Sequence, residues 1–571
     1  MVSCNSTEVS DTSKLSNIPV ISNFDDDSYL EKDPVAAAIR SAPFSKGVNF
    51  SEWFESPSAE VIPFINYTEQ DFIDVKNLGA DVVRLPIRLH SMTSGPPYYT
   101  INPILFKLLD IAVDWAEKYG LYIILENASS RPGHPTDDDV DKILLPVWTQ
   151  MANHFKNRTS YVIYEIFSEP YGSITSARWG EIQGKVIETI RRYDQDRIII
   201  IGGTDWNSID ALSAVPNYKD PNLIYTFHFY DPVLFTHQGA DWMGPPSYAS
   251  LKGVPFPYDK KRMPRIPSDL KGTWISDFLA HSYPNAATYK ALSDQLNKAV
   301  AFSLKRDVPI FCGEFGVLRT NCRNEDRVRW YKYVANALSI RNISRTSWDY
   351  YGDFGIFNIK NGNFDYELNI DIVKALKFTS PPQYVRIDLP LNTGFVIYDD
   401  FPNRERVRTL NFTDYTDFNM YDSNSSEGEF AIRWGNVVAQ YDSFTFGFES
   451  GSKDFSYLVK KGFYLEFYAR TESPVSFAVR FINSETSNSL PWRMNYIINE
   501  KKLPADGKYH RIRIPLTDMY EQGAFLSSTQ KWLTPKGEFS WKSVESLQFA
   551  AEYASIKNYI WFDDIKISKQ K

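Results

Sequence analysis

DVVRLPI (81–87), PILFKLLDIAVDWAEKYG (103–120) and LYIILE (121–126) follow one another closely and decide the fold. The first and third are short apolar runs of strand length. The middle one repeats its apolar residues at steps of three and four and closes on Gly120, the pattern of a helix with a glycine stop. Two strands joined by a crossover helix run parallel. The unit recurs outward in both directions. GVNF (47–50) precedes it, and YVIYEIF (161–167), RIIIIGG (197–203), LIYTFHFY (223–230), VPIFCGE (308–314) and SRTSWDY (344–350) follow, with the helical stretch SARWGEIQGKVIETIRRYD (176–194) among the connections. Eight strands alternating with helices predict an α/β fold, the (β/α)8 TIM barrel. The segment from Asp231 to about Tyr283 is rich in Gly, Pro and aromatic residues and too long for a plain connection. It predicts a structured loop over one end of the barrel.

Helical period stops near Lys377, and SPPQ (380–383) marks a break. Beyond it FYLEFYAR (463–470), VSFAVRF (475–481) and HRIRIPL (510–516) alternate apolar and polar residues, as strands of an antiparallel sandwich do. The chain therefore divides into a polar tail (1–35), a barrel domain (36–378) and an all-β jelly-roll sandwich (385–571). Pro381 and Pro382 in the join predict two cores, each complete.

Composition narrows the function. Hydrophobic residues make up 43% and charged residues 23%, which excludes a disordered or collagen-like chain. A net charge of −8 with no basic block excludes phosphate-backbone binding, so no nucleic acid is expected. No run approaches 18 apolar residues, so no transmembrane span is expected. Three cysteines cannot build a disulfide framework. The N-terminus lacks an apolar signal core, so as written the chain carries no export signal. Cys4 resembles the lipid-anchored first residue of a mature bacterial lipoprotein; the alternative is an incidental cysteine in a disordered tail. Aromatic residues reach 15%, and flat rings with polar edges suit the faces of sugars.

In a parallel barrel the working side chains sit at the C-terminal ends of strands. Those ends supply Arg84, Glu126, Glu165 with Glu169, Trp206, His228 with Tyr230, Glu314 and Trp348. Two carboxylates at the mouth, ringed by Arg, His, Tyr and Trp, are what glycoside hydrolysis requires. One protonates the leaving oxygen and the other supports the cationic sugar carbon. The structural alternative is that strand-end glutamates cap helices or pair with arginine. The seven histidines show no pair at metal-ligand spacing, which argues against catalytic zinc. Cys312 reads as a small buried hydrophobe.

In order and spacing, GVNFSEWFE, DVVRLPI, IYEIFSEPYG, YTFHFYDP, CGEFG and SWDYYG resemble family 5 of the glycoside hydrolases over roughly residues 40 to 365. That is the retaining cellulase and mannanase family of barrel enzymes. The resemblance implies Glu169 as acid/base and Glu314 as nucleophile. It places Arg84 beside Glu314, Tyr230 in a hydrogen bond to it, His228 and Trp206 against the sugar and Trp348 as its platform. An arginine and a tyrosine donating to Glu314 keep it ionised, while poor solvation and a neighbouring carboxylate keep Glu169 protonated. Glu165 is expected inside the barrel on an arginine. Two positions depart from the family. Ser168 stands where the family usually has an asparagine on the 2-hydroxyl, and the usual third-strand histidine is absent, leaving Asn127 or His134 as its substitute.

The implied function is a retaining endo-β-1,4-glycanase on plant cell-wall β-glucans that uses no cofactor in catalysis. The alternatives are a β-mannanase or xyloglucanase, or a surface protein that binds carbohydrate with weakened catalysis. A secreted or cell-surface monomer is expected. VIYDDF (396–401) and YIWFDDIKIS (559–568) resemble the first and last strands of jelly-roll carbohydrate-binding modules. That resemblance makes Asp399, Asp400, Asp563 and Asp564 candidate ligands of a structural Ca2+, with solvated turn residues as the alternative. Trp492 and Trp532 are the candidates for stacking on sugar.

Overall fold

A computed structural model describes residues 39–569 apart from 129–134, 388, 414–416, 438–441, 450–452, 486–489, 527 and 553–555. The polar tail with Cys4 lies outside the described residues, as does His134.

Eight parallel strands close into a barrel in chain order. They are β1 (Lys46–Asn49), β2 (Val82–Ile87), β3 (Tyr122–Asn127), β4 (Val162–Glu165), β5 (Ile199–Gly202), β6 (Leu223–Phe229), β7 (Ile310–Phe315) and β8 (Ser344–Ser347). Closure is by β8 on β1, with Val48 opposite Ser347. The principal outer helices are α1 (Glu69–Asn77), α2 (Pro103–Lys118), α3 (Asp141–Phe155), α4 (Ser176–Arg191), α5 (Tyr289–Arg306) and α6 (Asn324–Ile340). In α2 the Asn102 side chain accepts the N–H of Ile104 and Pro103 opens the first turn, so the start is capped twice over. Leu105, Leu108, Leu109, Ala112, Val113 and Ala116 then form one buried stripe.

Period two along the strands sorts the barrel interior into layers. Val82, Ile124, Ile163, Ile200, Ile224 and Phe311 make an apolar layer, closed by Phe44. Two residues further along three of these strands stand Arg84, Glu126 and Glu165, all fully buried. A polar layer therefore rests on an apolar one, directly beneath the mouth.

The C-terminal region is a sandwich of two seven-stranded antiparallel sheets. The first contains β9 (Phe395–Asp399), β10 (Phe401–Pro402), β12 (Asp417–Asp422), β13 (Ala431–Gly435), β15 (Tyr464–Thr471), β18 (His510–Pro515) and β22 (Tyr559–Ser568). The second runs β11 (Val407–Phe412), β14 (Ser443–Phe448), β21 (Val544–Ala550), β16 (Phe477–Asn483), β17 (Trp492–Ile498), β19 (Tyr520–Leu526), β20 (Lys531–Leu533). Phe444, Phe477 and Phe549 of the second sheet meet Phe562 of the first at ring distances of 4.9–5.5 Å, so the apolar faces point inward. Of the two candidates for stacking on sugar, Trp492 opens β17 and is 2% exposed, whereas Trp532 is 44% exposed.

The two DD pairs lie close together because β9 pairs with the end of β22. β22 changes partner there, from β13 to β9. The Oδ2 of Asp563 accepts N–H groups of Ser426 and Glu427, the Oδ1 of Asp400 accepts those of Glu429 and Phe430, and Asp564 pairs with Lys566. Among the described residues these four acids do not gather as a metal-holding group. Asp400 and Asp563 thus cap backbone where the sheet changes partner.

Buried residues of the two regions belong to one apolar cluster. Phe64 lies 5.3 Å from Phe401 in a tilted ring pair, and its N–H donates to the Tyr421 hydroxyl at 3.4 Å. That hydroxyl in turn donates to the carbonyl of Ile62. Cutting the chain after Lys377 uncovers Phe64 and its neighbours. Because burying one such ring is worth about 1.5–3 kcal/mol, the shortened barrel is expected to melt several degrees below the intact chain. Calorimetry of both forms checks this, and equal melting temperatures refute it.

Candidate active site

Arg84 organises the mouth of the barrel. Its Nε and Nη2 donate to Glu165 at 2.7 and 2.9 Å, a bidentate pair, and Nη1 donates to Glu314 at 2.8 Å and to the Asn49 side chain at 2.9 Å. Glu165 thus sits inside the barrel on an arginine, as expected. Glu126 faces the same guanidinium at 3.6 Å, and among the described residues neither of its oxygens has a hydrogen-bond partner. Burial pushes its carboxyl well above the ordinary range, with Arg84 only partly opposing.

Glu314 reaches the site through an irregularity. Pairing of β6 with β7 slips between Phe227 and His228, so that His228 stands opposite Glu314. Beyond it Gly316 lets β7 and β8 approach, since a Cβ there would fall 2.3 Å from the Trp348 carbonyl. The Glu314 carboxylate accepts from Arg84 on one oxygen and from the Tyr230 hydroxyl at 2.9 Å on the other. Burial alone would raise its pKa; His228, Arg84 and Tyr230 outweigh that and hold it below the ordinary value.

Glu169 follows β4 and shows the opposite bias. Burial raises its pKa, the Glu314 charge adds to the rise, and the hydrogen bond with His228 opposes it without cancelling it. His228 Nδ1 lies 2.7 Å from Glu169 and 3.5 Å from Glu314. Although burial lowers the pKa of this histidine, the two carboxylates raise it further, above its usual value. One oxygen of Glu169, one of Glu314 and a ring nitrogen of His228 all lie within 4.8 Å of one another.

The remaining expected residues surround this pair. Ser168 receives an Arg84 N–H at 3.2 Å, and its hydroxyl reaches Glu314 at 3.4 Å. Trp206 is 53% exposed and stacks on Tyr171, with centroids 5.0 Å apart and planes 17° from parallel. Asp205, Trp206 and Asn207 all have left-handed backbone, at φ of 57°, 53° and 55°. Three such residues in a row are costly for side-chain-bearing positions and belong where a ring must be presented. Trp348 is half-buried after β8, joined to Asp349 by a cis peptide. Asn127 closes β3, where its carbonyl accepts the N–H of Ser168 at 3.1 Å.

Several residues at the mouth had no signal in the sequence. Asn49 was read only as strand, yet its amide donates to the carbonyls of Gly313 and Ser347, both at 3.1 Å, while its oxygen holds Arg84. His90 lies after β2 against Phe167, ring centroids 6.2 Å apart. The long β6–β7 connection contributes His237, 4.9 Å from the Tyr230 ring, and Trp242, 61% exposed and against Phe354. Burial pushes the pKa of His237 down to about 4.

A family model described as cellulase (glycosyl hydrolase family 5) matches residues 44–353. Among curated proteins, Endoglucanase 3 of Fibrobacter succinogenes is 27% identical over 340 residues, covering 56% of this chain and 51% of that protein. Endoglucanase H of Acetivibrio thermocellus is 28% identical over 308 residues, covering 52% of this chain and 29% of that protein. The chain thus spans about half of the first relative's length and under a third of the second's. Among solved structures, the endoglucanase Cel5A of Thermotoga maritima superimposes with a TM-score of 0.48 at 27% identity, over 58% of this chain and 96% of that one.

Proposed function

Because the chain belongs to glycosyl hydrolase family 5, the cellulase family, we propose that it cleaves internal β-1,4 bonds of glucan by double displacement. In this reading Glu314 is the nucleophile and Glu169 the acid and base. The observation that carries it is the closeness and opposite bias of the two carboxyls, one oxygen of each lying within 4.8 Å of the other. Inverting enzymes need about 6.5–9.5 Å to seat a water between the groups, whereas retaining ones need only about 5–5.5 Å.

The chemistry follows from the contacts. Glu314, held ionised by Arg84 and Tyr230, attacks the anomeric carbon while protonated Glu169 gives its proton to the departing glycosidic oxygen. A glycosyl ester on Glu314 results. Glu169, now ionised, takes a proton from water, which attacks the same carbon and releases Glu314. Ser168 is too short to reach as far as an asparagine, so its contact with the reacting sugar runs through water. Trp206 on Tyr171 offers a stacking face on the Glu169 side, where the leaving chain lies. A polymer substrate places the enzyme outside the cell or on its surface.

Proton NMR of products from a soluble β-glucan tests the reading. The β-anomer is expected first, with reducing ends accumulating faster on β-glucan than on mannan. Initial formation of the α-anomer, or no release at any pH from about 4 to 8, overturns it.

His228 gives a second test. Its positive charge lowers the pKa of both carboxyls. The acid limb of the kcat/KM profile reports ionisation of Glu314, and the alkaline limb deprotonation of Glu169. Removing the charge by His228→Asn is therefore expected to move both limbs to higher pH. A lower rate with both limbs unmoved shows that His228 orients the sugar without setting the charges.

A further inference from the structure

The segment that carries Trp348 is gripped from two sides. Towards the barrel, the Trp348 N–H donates to the Phe315 carbonyl at 2.9 Å and the Tyr350 N–H to the Asn49 carbonyl at 3.0 Å. The Ser51 hydroxyl donates to the Asp349 carboxyl group at 2.5 Å. Three residues beyond Trp348 stands Tyr351, buried although it lies past the end of β8. Its ring stacks on Phe357, with centroids 5.1 Å apart and planes 20° from parallel. Its hydroxyl donates to Asp71. Asp71 is itself fixed, since its other oxygen accepts the Thr68 N–H at 2.7 Å in the capping box that opens α1.

The rest of the grip comes from the sandwich. Arg408 of β11 places its guanidinium 5.8 Å from the Tyr351 ring centroid, and Arg404, just before β11, hydrogen-bonds the Tyr351 hydroxyl. A small cavity at the junction is lined jointly by Ser51, Tyr67 and Tyr351 of the barrel and by Arg404 and Arg408. Keeping two guanidiniums together is costly: burial lowers the pKa of Arg408, and the Arg404 charge lowers it further. Both regions supply the compensation. Glu449 of the sandwich lies 3.6 Å from Arg408 and accepts from Arg386 at 2.8 Å, while Asp71 of the barrel attracts Arg404. Two arginines serving the sandwich alone would need nothing from the barrel; these two are completed by Tyr351 and Asp71. The Phe64–Phe401 contact joins the same two regions through the β1–α1 connection instead, so experiment can tell the two contacts apart.

We propose that Arg404 and Arg408 are positioning residues for hydrolysis. By closing on Tyr351 they fix the segment from Trp348 to Gly352, and with it the ring on which the reacting sugar rests. The inference rests on the proposed activity of the barrel, with Trp348 as the platform. A displacement of about 1 Å in a group that orients substrate is enough to lower a rate severely, so a clamp on this segment tells on turnover without touching the reacting atoms.

Hydrolysis of cellohexaose by the full chain tests this in a double-mutant cycle between the arginines and Trp348. Arg404→Met combined with Arg408→Met is expected to lower kcat/KM by roughly tenfold. Both limbs of the pH profile should stay where they are, because Glu169 and Glu314 keep the neighbours that set their charges. The fold stands, since Asp71 keeps the Thr68 N–H and Glu449 keeps Arg386. In a Trp348→Ala background the same two changes are expected to cost less than about twofold, because the ring they hold is gone. Phe401→Ala weakens the junction elsewhere and is expected to lower the melting temperature while leaving kcat/KM within about twofold. A full loss in both backgrounds shows that the arginines act independently of Trp348. An unchanged kcat/KM beside a lowered melting temperature shows that they only hold the two regions together, and an equal loss in Phe401→Ala shows that the junction acts as a whole. Each of these three results overturns the proposal. If the unaltered chain does not hydrolyse cellohexaose, the reading of the barrel falls and the proposal with it; an active chain with a null cycle sinks the proposal alone.

Discussion

Glu314→Ala and Glu169→Ala are each expected to reduce hydrolysis of soluble β-glucan by about a thousandfold or more, and then to part company on an activated substrate. An aryl glycoside with a good leaving group needs no proton in its first step. Glu169→Ala therefore forms the glycosyl ester at a rate near that of the unaltered enzyme and stalls at its hydrolysis, for want of a base. Glu314→Ala forms no ester with either substrate. Rapid mixing should show a burst of phenolate from Glu169→Ala and none from Glu314→Ala. Adding azide, a nucleophile that needs no base, should restore turnover of the aryl glycoside in Glu169→Ala with β-glycosyl azide as product. Equal loss of the first step in both variants sinks the assignment of roles. Fold is not at stake in either case. Glu169 lies on the connection after β4, and its side chain is 29% exposed. Glu314 is buried, but its removal leaves Arg84 with Glu165, so the cation keeps a partner.

Much of this site was legible in the residues because barrels impose a simple rule. A side chain at a strand's C-terminal end points to the mouth, and period two decides whether it faces inward. Arg84, Glu165, His228 and Tyr230 obeyed it, whereas Glu314 faces the mouth only through the slip in β6–β7 pairing. Asn49 escaped for the opposite reason. It lies among apolar strand residues, and only the closed barrel shows that the Arg84 fork needs an acceptor there. His237 and Trp242 escaped because they come from a connection with no period, whose path is set by tertiary packing. In the sandwich, alternation identified the inner face of β15 at Leu465, Phe467 and Ala469, each fully buried.

Arg84→Met is expected to destabilise the protein by about 3–5 kcal/mol and to impair catalysis by raising the pKa of Glu314. The guanidinium is fully buried and serves Glu165 through two nitrogens and Glu314 through a third. Methionine fills similar volume and supplies none of those donors, so two carboxylates are left in a low-dielectric interior beside a third, Glu126. The pH dependence separates this cause from simple loss of packing. In the intact protein the pKa of Glu314 is depressed, so its share of stability is present above the ordinary carboxylate value and disappears as pH falls through the lower, folded one. In Arg84→Met that depression is gone, and the ionised form is penalised. The stability gap between the two proteins should therefore be widest near neutral pH and narrow on acidification, as the carboxyls take up protons. The acid limb of kcat/KM should move to higher pH in the same variant. Arg84→Lys keeps the charge but offers one compact ammonium in place of a planar fork, so it should recover part of the stability and little of the rate. Urea titrations at pH about 4 and about 7 decide the matter. A gap of the same size at both would mean that Arg84 matters for shape alone, and that something other than its charge keeps Glu314 ready to attack.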